Sequence, residues 1–98
     1  MYSVYQYVEN GVTKYIGQTI DFARRRSEWA RVGWRIEPIQ GLENLSRLDA
    51  RAVEQILIES YGLENLYNQI NSIAMSNPMY PPALQRGIEI LNLIGFAK

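Results

Sequence analysis

Short runs rich in Tyr, Val and Ile flank Asn10-Gly11, over residues 2–8 and 12–17, and predict two strands joined by a tight turn. The apolar spacing then lengthens to that of a helix. Asp21 suits an N-cap for a helix over residues 22–32, and Gly33 suits the left-handed position that ends one. Residues 34–39 (WRIEPI) predict a third, short strand, with Pro38 confining it to an edge or a strand end. After a loop over 41–46, Ser46 and Asp49 form a variant capping box that opens a helix through residue 60, stopped by Gly62. Residues 63–73 predict an irregular connection and 77–82 (NPMYPP) a breaker. A last amphipathic helix follows over 83–94, closed by Gly95. Its apolar residues Ile88, Leu91 and Ile94 suit packing on the domain better than a partner surface. The order β-β-α-β-α-α predicts an α+β fold, a small three-stranded antiparallel sheet flanked by helices, in one domain over residues 1–98 with its core within 3–73.

The hairpin register decides which side chains share a face. A two-residue turn at Asn10-Gly11 would set Tyr5 against Ile16 and Tyr15 against Gln6, mixing polarity on both faces. A three-residue loop over 9–11, with Gly11 as a left-handed bulge, sets Val4 against Ile16, Val8 against Val12 and Tyr5 against Tyr15. Aliphatic and phenolic side chains then separate, and a slip of one residue would undo the separation. The bulged loop is therefore the predicted register.

Composition narrows the chemistry. With 98 residues, 47% hydrophobic and 20% charged, the chain can bury one small core. Cysteine and histidine are both absent, which excludes disulfides, thiol nucleophiles, imidazole bases and Cys/His metal ligation. Catalysis would fall to Tyr, Lys, Arg, Asp, Glu, Ser or Thr. No run is apolar enough for a membrane span, and the first residues read as strand rather than as a signal segment. The net charge is zero but unevenly spread. Residues 14–35 carry Lys14, Arg24, Arg25, Arg26, Arg31 and Arg35 against Asp21 and Glu28, while residues 36–98 are net acidic. A basic end of this kind can attract a polyanion despite the zero total.

Four features raise the question of a site, each beside a plainer reading. Opposed tyrosines commonly serve a sheet as a packing pair worth ~0.2–1 kcal/mol. The run Arg24-Arg25-Arg26 could grip a phosphodiester, or form a solvated helix face. Glu54 lies on a mainly apolar helical stripe, with Ala50, Arg51, Leu57 and Ile58 as its neighbours one turn away. Such a carboxylate must bind a cation or pair, for instance with Arg51. Asn68, in an apolar segment, could cap backbone groups or take part in a site.

Taken in order, "VY" at 4–5, "YIG" at 15–17, Arg25, Glu54 in a mid-chain helix and "YN" at 67–68 resemble the GIY-YIG endonuclease superfamily over residues 3–70. The first tripeptide is "SVY" rather than "GIY", which keeps the tyrosine. Residues 41–73, "NPMY" and the closing "RGIEIL" are similar to GIY-YIG-type nuclease modules at the tips of bacterial polymorphic toxins of the Rhs and contact-dependent inhibition types. Those modules carry a histidine after the arginine helix, where this chain has Trp29.

The resemblance implies a metal-dependent endonuclease. Glu54 would be the single carboxylate ligand of a divalent ion, Mg²⁺ by preference and Mn²⁺ as the alternative. Arg25 would stabilise developing negative charge, Tyr5 would act as base or position the water, Tyr15 would hydrogen-bond the phosphate or nucleophile, and Asn68 would orient the cluster. Lys14, Arg24, Arg26, Arg31 and Arg35 would hold the nucleic acid, DNA in preference to RNA. A toxin module would act as a monomer in the cytoplasm of a target bacterium and meet a cognate immunity protein. The alternatives are an RNase or structure-selective repair nuclease of the same fold, and a non-catalytic nucleic-acid-binding or adaptor domain.

Overall fold

A computed structural model of the chain describes residues 1–68 and 71–96. Gln69 and Ile70 of the predicted connection, and Lys98, lie outside the described residues. The elements run β1 (Ser3–Glu9), β2 (Val12–Thr19), α1 (Phe22–Ala30), β3 (Ile36–Pro38), α2 (Arg47–Tyr61), a 3₁₀ turn (Leu63–Asn65) and α3 (Tyr80–Leu93). The fold is α+β. Its sheet is antiparallel and open, in the order β2-β1-β3, so β1 is central. Among the described residues no helix is long and apolar enough to cross a membrane.

The local signals act through identifiable bonds. The Asp21 carboxylate accepts from the Arg24 N–H at 3.1 Å, and the Ser46 hydroxyl accepts from the Asp49 N–H at 3.1 Å, so both helices begin at side-chain caps. α1 ends at Ala30 rather than residue 32, in a turn that closes on Gly33 at φ 83°. α3 begins three residues before the expected start. Pro81 and Pro82 occupy its first turn, where a proline's missing N–H has no helical partner to lose.

The hairpin register differs from the predicted one. Asn10 and Gly11 both have positive φ, 53° and 78°, and form a two-residue turn that pairs Glu9 with Val12 and Val8 with Thr13. A bulge then shifts the ladder, leaving Lys14 as the extra residue. Beyond it Tyr7 pairs with Tyr15, Gln6 with Ile16 and Tyr5 with Gly17. Tyr5 and Tyr15 are thus diagonal neighbours, not opposite ones. Relative to the expected pairing the ladder has moved by two residues, and a shift of two preserves which face each side chain occupies. Polarity segregation therefore holds in a register that polarity alone could not specify.

The core lies where α2 crosses the sheet. Val4, Ile16, Leu42, Ala50, Val53, Leu57 and Ile58 are buried there, and α3 adds Ile90 and Leu91. Ile88 and Ile94 of α3 stay on the exposed side. The two helices approach closely at Gly87, where an added Cβ would lie 2.6 Å from the Ala52 carbonyl oxygen and 2.7 Å from Ile56 Cγ1. A backbone oxygen cannot yield as a flexible side chain can. Gly87→Ala is expected to lower stability by about 1–3 kcal/mol in urea unfolding, despite alanine's better helix propensity.

The outer edge of β2 is also covered. The Tyr67 N–H donates to the Lys14 carbonyl, and the Asn68 side chain takes up both polar groups of Ile16. Residues 67–68 thereby replace a missing strand.

Candidate active site

Four side chains from four elements converge. Tyr5 stands on β1, Tyr15 on β2, Arg25 on α1 and Glu54 on α2. The Tyr5 and Tyr15 rings lie 6.3 Å apart and nearly parallel. Each phenol feels both charges, Arg25 drawing its pKa down and Glu54 pushing it up, so the guanidinium and the carboxylate border the same pair of rings.

Gly17 makes the arrangement possible. It pairs with Tyr5 across the hairpin, and the phenol ring lies over its bare backbone. A Cβ at Gly17 would fall 2.4 Å from Tyr5 Cζ and 2.4 Å from the hydroxyl oxygen. Tyr5 is 2% exposed, and its hydroxyl oxygen accepts a hydrogen bond from Trp29 Nε1 at 3.1 Å. Trp29 thus packs beside the site and grips the phenol from α1. Burial pushes the Tyr5 pKa up to about 12, against a lowering by the Trp29 bond. At neutral pH only ~1 in 10⁵ such phenols is ionised. In this state Tyr5 is a hydroxyl that accepts from Trp29 and donates to Tyr15, whose pKa that bond lowers. Tyr15 is raised as well, first by burial and then by Glu54, with Arg25 opposing.

Glu54 is 9% exposed. The ion pair with Arg51 that the sequence allowed does not form, since Arg51 donates instead to the Ser72 carbonyl at 2.9 Å. Gln18 Nε2 donates to the carboxylate at 3.4 Å, a long contact. Burial raises the Glu54 pKa above the usual glutamate value, and bonds from Ser72 and Gln18, with the more distant Arg51 charge, recover only part of the shift. Gln18 Oε1 is itself buried without a hydrogen-bond partner among the described residues. One hard, charged oxygen donor thus stands here, with the Gln18 amide turning its N–H rather than its oxygen toward it. That donor set suits a divalent cation that takes one carboxylate and completes its shell with water and phosphate. No group of three or more acidic side chains gathers at this site or at any other among the described residues.

The arginines divide. Arg24 and Arg25 share Glu28, at 3.7 and 3.4 Å, beside a cavity of about 200 Å³ lined also by Thr19, Ile20 and Asp21. Arg26 lies over the Phe22 ring at 5.8 Å, and Lys14 over the Tyr67 ring at 5.7 Å. Arg26, Arg31 and Arg35 have no acidic partner among the described residues.

Asn68 does not reach the phenols. Its Oδ1 accepts from the Ile16 N–H at 3.1 Å and its Nδ2 donates to the Ile16 carbonyl at 2.8 Å, which fixes the peptide between Tyr15 and Gly17. It is a positioning residue. Asn68→Ala should cost about 1–3 kcal/mol in urea unfolding by orphaning two part-buried backbone groups.

Sequence reasoning passed over Gln18 and Trp34. Gln18 directly follows the "YIG" tripeptide, the one signal that could have marked it. Trp34 read as strand, yet its indole stacks on Tyr7 (4.5 Å, 5°) and on Trp29 (4.5 Å, 19°), and lies 5.5 Å from Tyr15. Comparison with protein-family models, with curated proteins and with solved structures returns no match to this chain.

Proposed function

We propose that the chain is a metal-dependent endonuclease that hydrolyses phosphodiester bonds of DNA. The observation that carries this reading is a buried carboxylate, without an ion-pair partner among the described residues, that shares its surroundings with two phenols and a guanidinium from three other elements. Keeping a raised-pKa glutamate buried is unfavourable for the fold alone, and a bound cation would relieve it.

Glu54 would hold the cation, Mg²⁺ by preference or Mn²⁺. When bound, it supplies positive charge at the phosphoryl oxygens and acidifies water. Arg25 is partly exposed and can turn from Glu28 to a non-bridging phosphoryl oxygen, where it offsets charge that grows as the water oxygen attacks phosphorus. Tyr5, held by Trp29, orients the attacking water with its hydroxyl. Tyr15 would hydrogen-bond the phosphate or the nucleophile. As the water oxygen bonds phosphorus its proton passes to solvent, the bond from phosphorus to the leaving oxygen breaks, and that oxygen leaves protonated by solvent. Lys14, Arg24, Arg26, Arg31 and Arg35 hold the flanking phosphates.

On the resemblance of its second half, the chain is further read as the toxic module of an interbacterial polymorphic toxin, acting as a monomer in the cytoplasm of the target cell and blocked there by a cognate immunity protein. A non-catalytic nucleic-acid-binding domain is the second reading, favoured by the Tyr5 pKa of about 12 and by Trp29 where a histidine would transfer protons. Incubation of purified protein with plasmid and with tRNA, in Mg²⁺ and in excess EDTA, separates the readings. Plasmid should be cut in Mg²⁺ and spared in EDTA. Cutting of tRNA alone would make the enzyme an RNase, and no cutting of either, or of single-stranded DNA added beside them, would leave the binding domain.

A further inference from the structure

The aromatic side chains on the phenolic face exceed what the four-residue site needs. Beyond Tyr5 and Tyr15 the rings continue through Trp29, Trp34, Tyr7 and Tyr67, each within 5.6 Å of Trp34 or Trp29 by ring centroid. Glu9 fixes two of them, accepting from the Tyr67 hydroxyl at 2.7 Å and the Tyr7 hydroxyl at 3.2 Å. Trp34 is therefore held rigidly, its ring faces taken by Tyr7 and Trp29, and it offers the neighbouring space a fixed edge with little freedom left to lose on binding. Beside it lies a cavity of about 460 Å³, lined by Arg26, Ala30, Gly33, Trp34 and Arg35. Cavities of this size hold small organic ligands. Its two guanidiniums have no acidic partner among the described residues, unlike Arg24 and Arg25. The wall thus joins unneutralised planar cations to a fixed indole, and the indole touches Tyr15 of the candidate site.

We propose that this cavity receives one unpaired nucleobase next to the scissile phosphate, so that the substrate is single-stranded or locally opened DNA. Cations tracking a backbone beside aromatic rings are the combination by which single strands bind without sequence preference, since every base has a π-face. Guanidinium planes also stack on bases, and their charge meets the adjoining phosphates. A base still stacked in a duplex cannot enter a cavity, whereas the same phosphates are present in both forms. Phosphate contacts alone would therefore raise affinity for either, and the base-facing groups of the pocket, Trp34 with the Arg26 and Arg35 guanidinium planes, would discriminate. The proposal rests on the nuclease reading for the word substrate, but its binding content does not.

The test measures binding without cleavage. Glu54→Gln protein is titrated by fluorescence anisotropy with a labelled short single strand, with the same strand carrying one abasic position at each site in turn, and with the matching duplex. The single strand should bind about tenfold more tightly than the duplex, and one abasic position should remove most of that advantage. Arg35→Ala, at an exposed position, and Trp34→Leu should each weaken single-strand binding by about tenfold and duplex binding by much less. Trp34→Leu tests the indole, and Arg35→Ala keeps the result interpretable if that variant unfolds. Equal affinity for both forms, or a single-strand preference that survives in Arg35→Ala, would overturn the inference. A preference that behaves as stated in a wild-type protein that cuts nothing would uphold the cavity and reject the nuclease. Mg²⁺-dependent cutting with no preference would do the reverse.

Discussion

Gly17→Ala is expected to lower stability by about 1–3 kcal/mol and the cleavage rate by ~100-fold. The methyl group would sit 2.4 Å from two atoms of the Tyr5 phenol, well inside contact distance. Tyr5 cannot swing away freely, because it is buried against Phe22 and Tyr15 and bonded to Trp29. The strand pair or the phenol must therefore move, and a displacement near ~1 Å is enough to misalign a reacting group. Two readouts separate these effects. Urea unfolding gives the stability, and tryptophan fluorescence should report the lost Trp29 contact. A Gly17→Ala protein with wild-type stability and rate would show that Tyr5 does not lie over the glycine.

The second large effect concerns Glu54. Glu54→Gln should abolish cleavage and yet make the metal-free protein more stable at pH 7, by about 0.5–2 kcal/mol. The sign follows from proton linkage. A carboxyl whose folded pKa is raised binds its proton more tightly in the folded state. Its folded form is therefore favoured below the unfolded pKa and loses stability as pH rises through the folded pKa. Above its folded pKa Glu54 is charged and its burial opposes folding. Glutamine removes that charge, so its advantage should appear above the glutamate range and fade at acid pH. Thermal unfolding from pH 4 to pH 8 checks this, in about one-unit steps. The same ionisation governs activity, because only charged Glu54 can hold a cation, and at subsaturating Mg²⁺ the acid limb of the rate profile should lie above the usual glutamate pKa. Mg²⁺ should raise the melting temperature of the wild type and leave that of Glu54→Gln unchanged.

Much of the fold was legible because its signals are local. Asp21, Ser46 and Gly62 mark helix ends through bonds or angles that a sequence encodes directly, and all three do so in the structure. The hairpin register was not legible. Segregation of polarity excludes shifts of one residue but is blind to shifts of two, and nothing at Lys14 announces a bulge. The proline pair at 81–82 misled in the other direction, since the residues that stop one helix also open another. Glu54 stood out because a carboxylate in an apolar stripe conflicts with burial. Asn68 showed its polarity but not its target, the Ile16 peptide, which only tertiary packing brings near. Trp34 was hidden for the same reason: its partners Tyr7, Trp29 and Tyr67 come from three separate segments.

The most direct measurement of the central claim is the single-turnover cleavage of a labelled DNA strand at fixed enzyme, with Mg²⁺ varied, for the wild type and Glu54→Gln side by side. The wild-type rate should rise with Mg²⁺ to saturation and fall to background in EDTA, while Glu54→Gln stays lower by ~10³-fold or more at every concentration. Cleavage by folded Glu54→Gln at the wild-type rate, or by the wild type in excess EDTA, would contradict it.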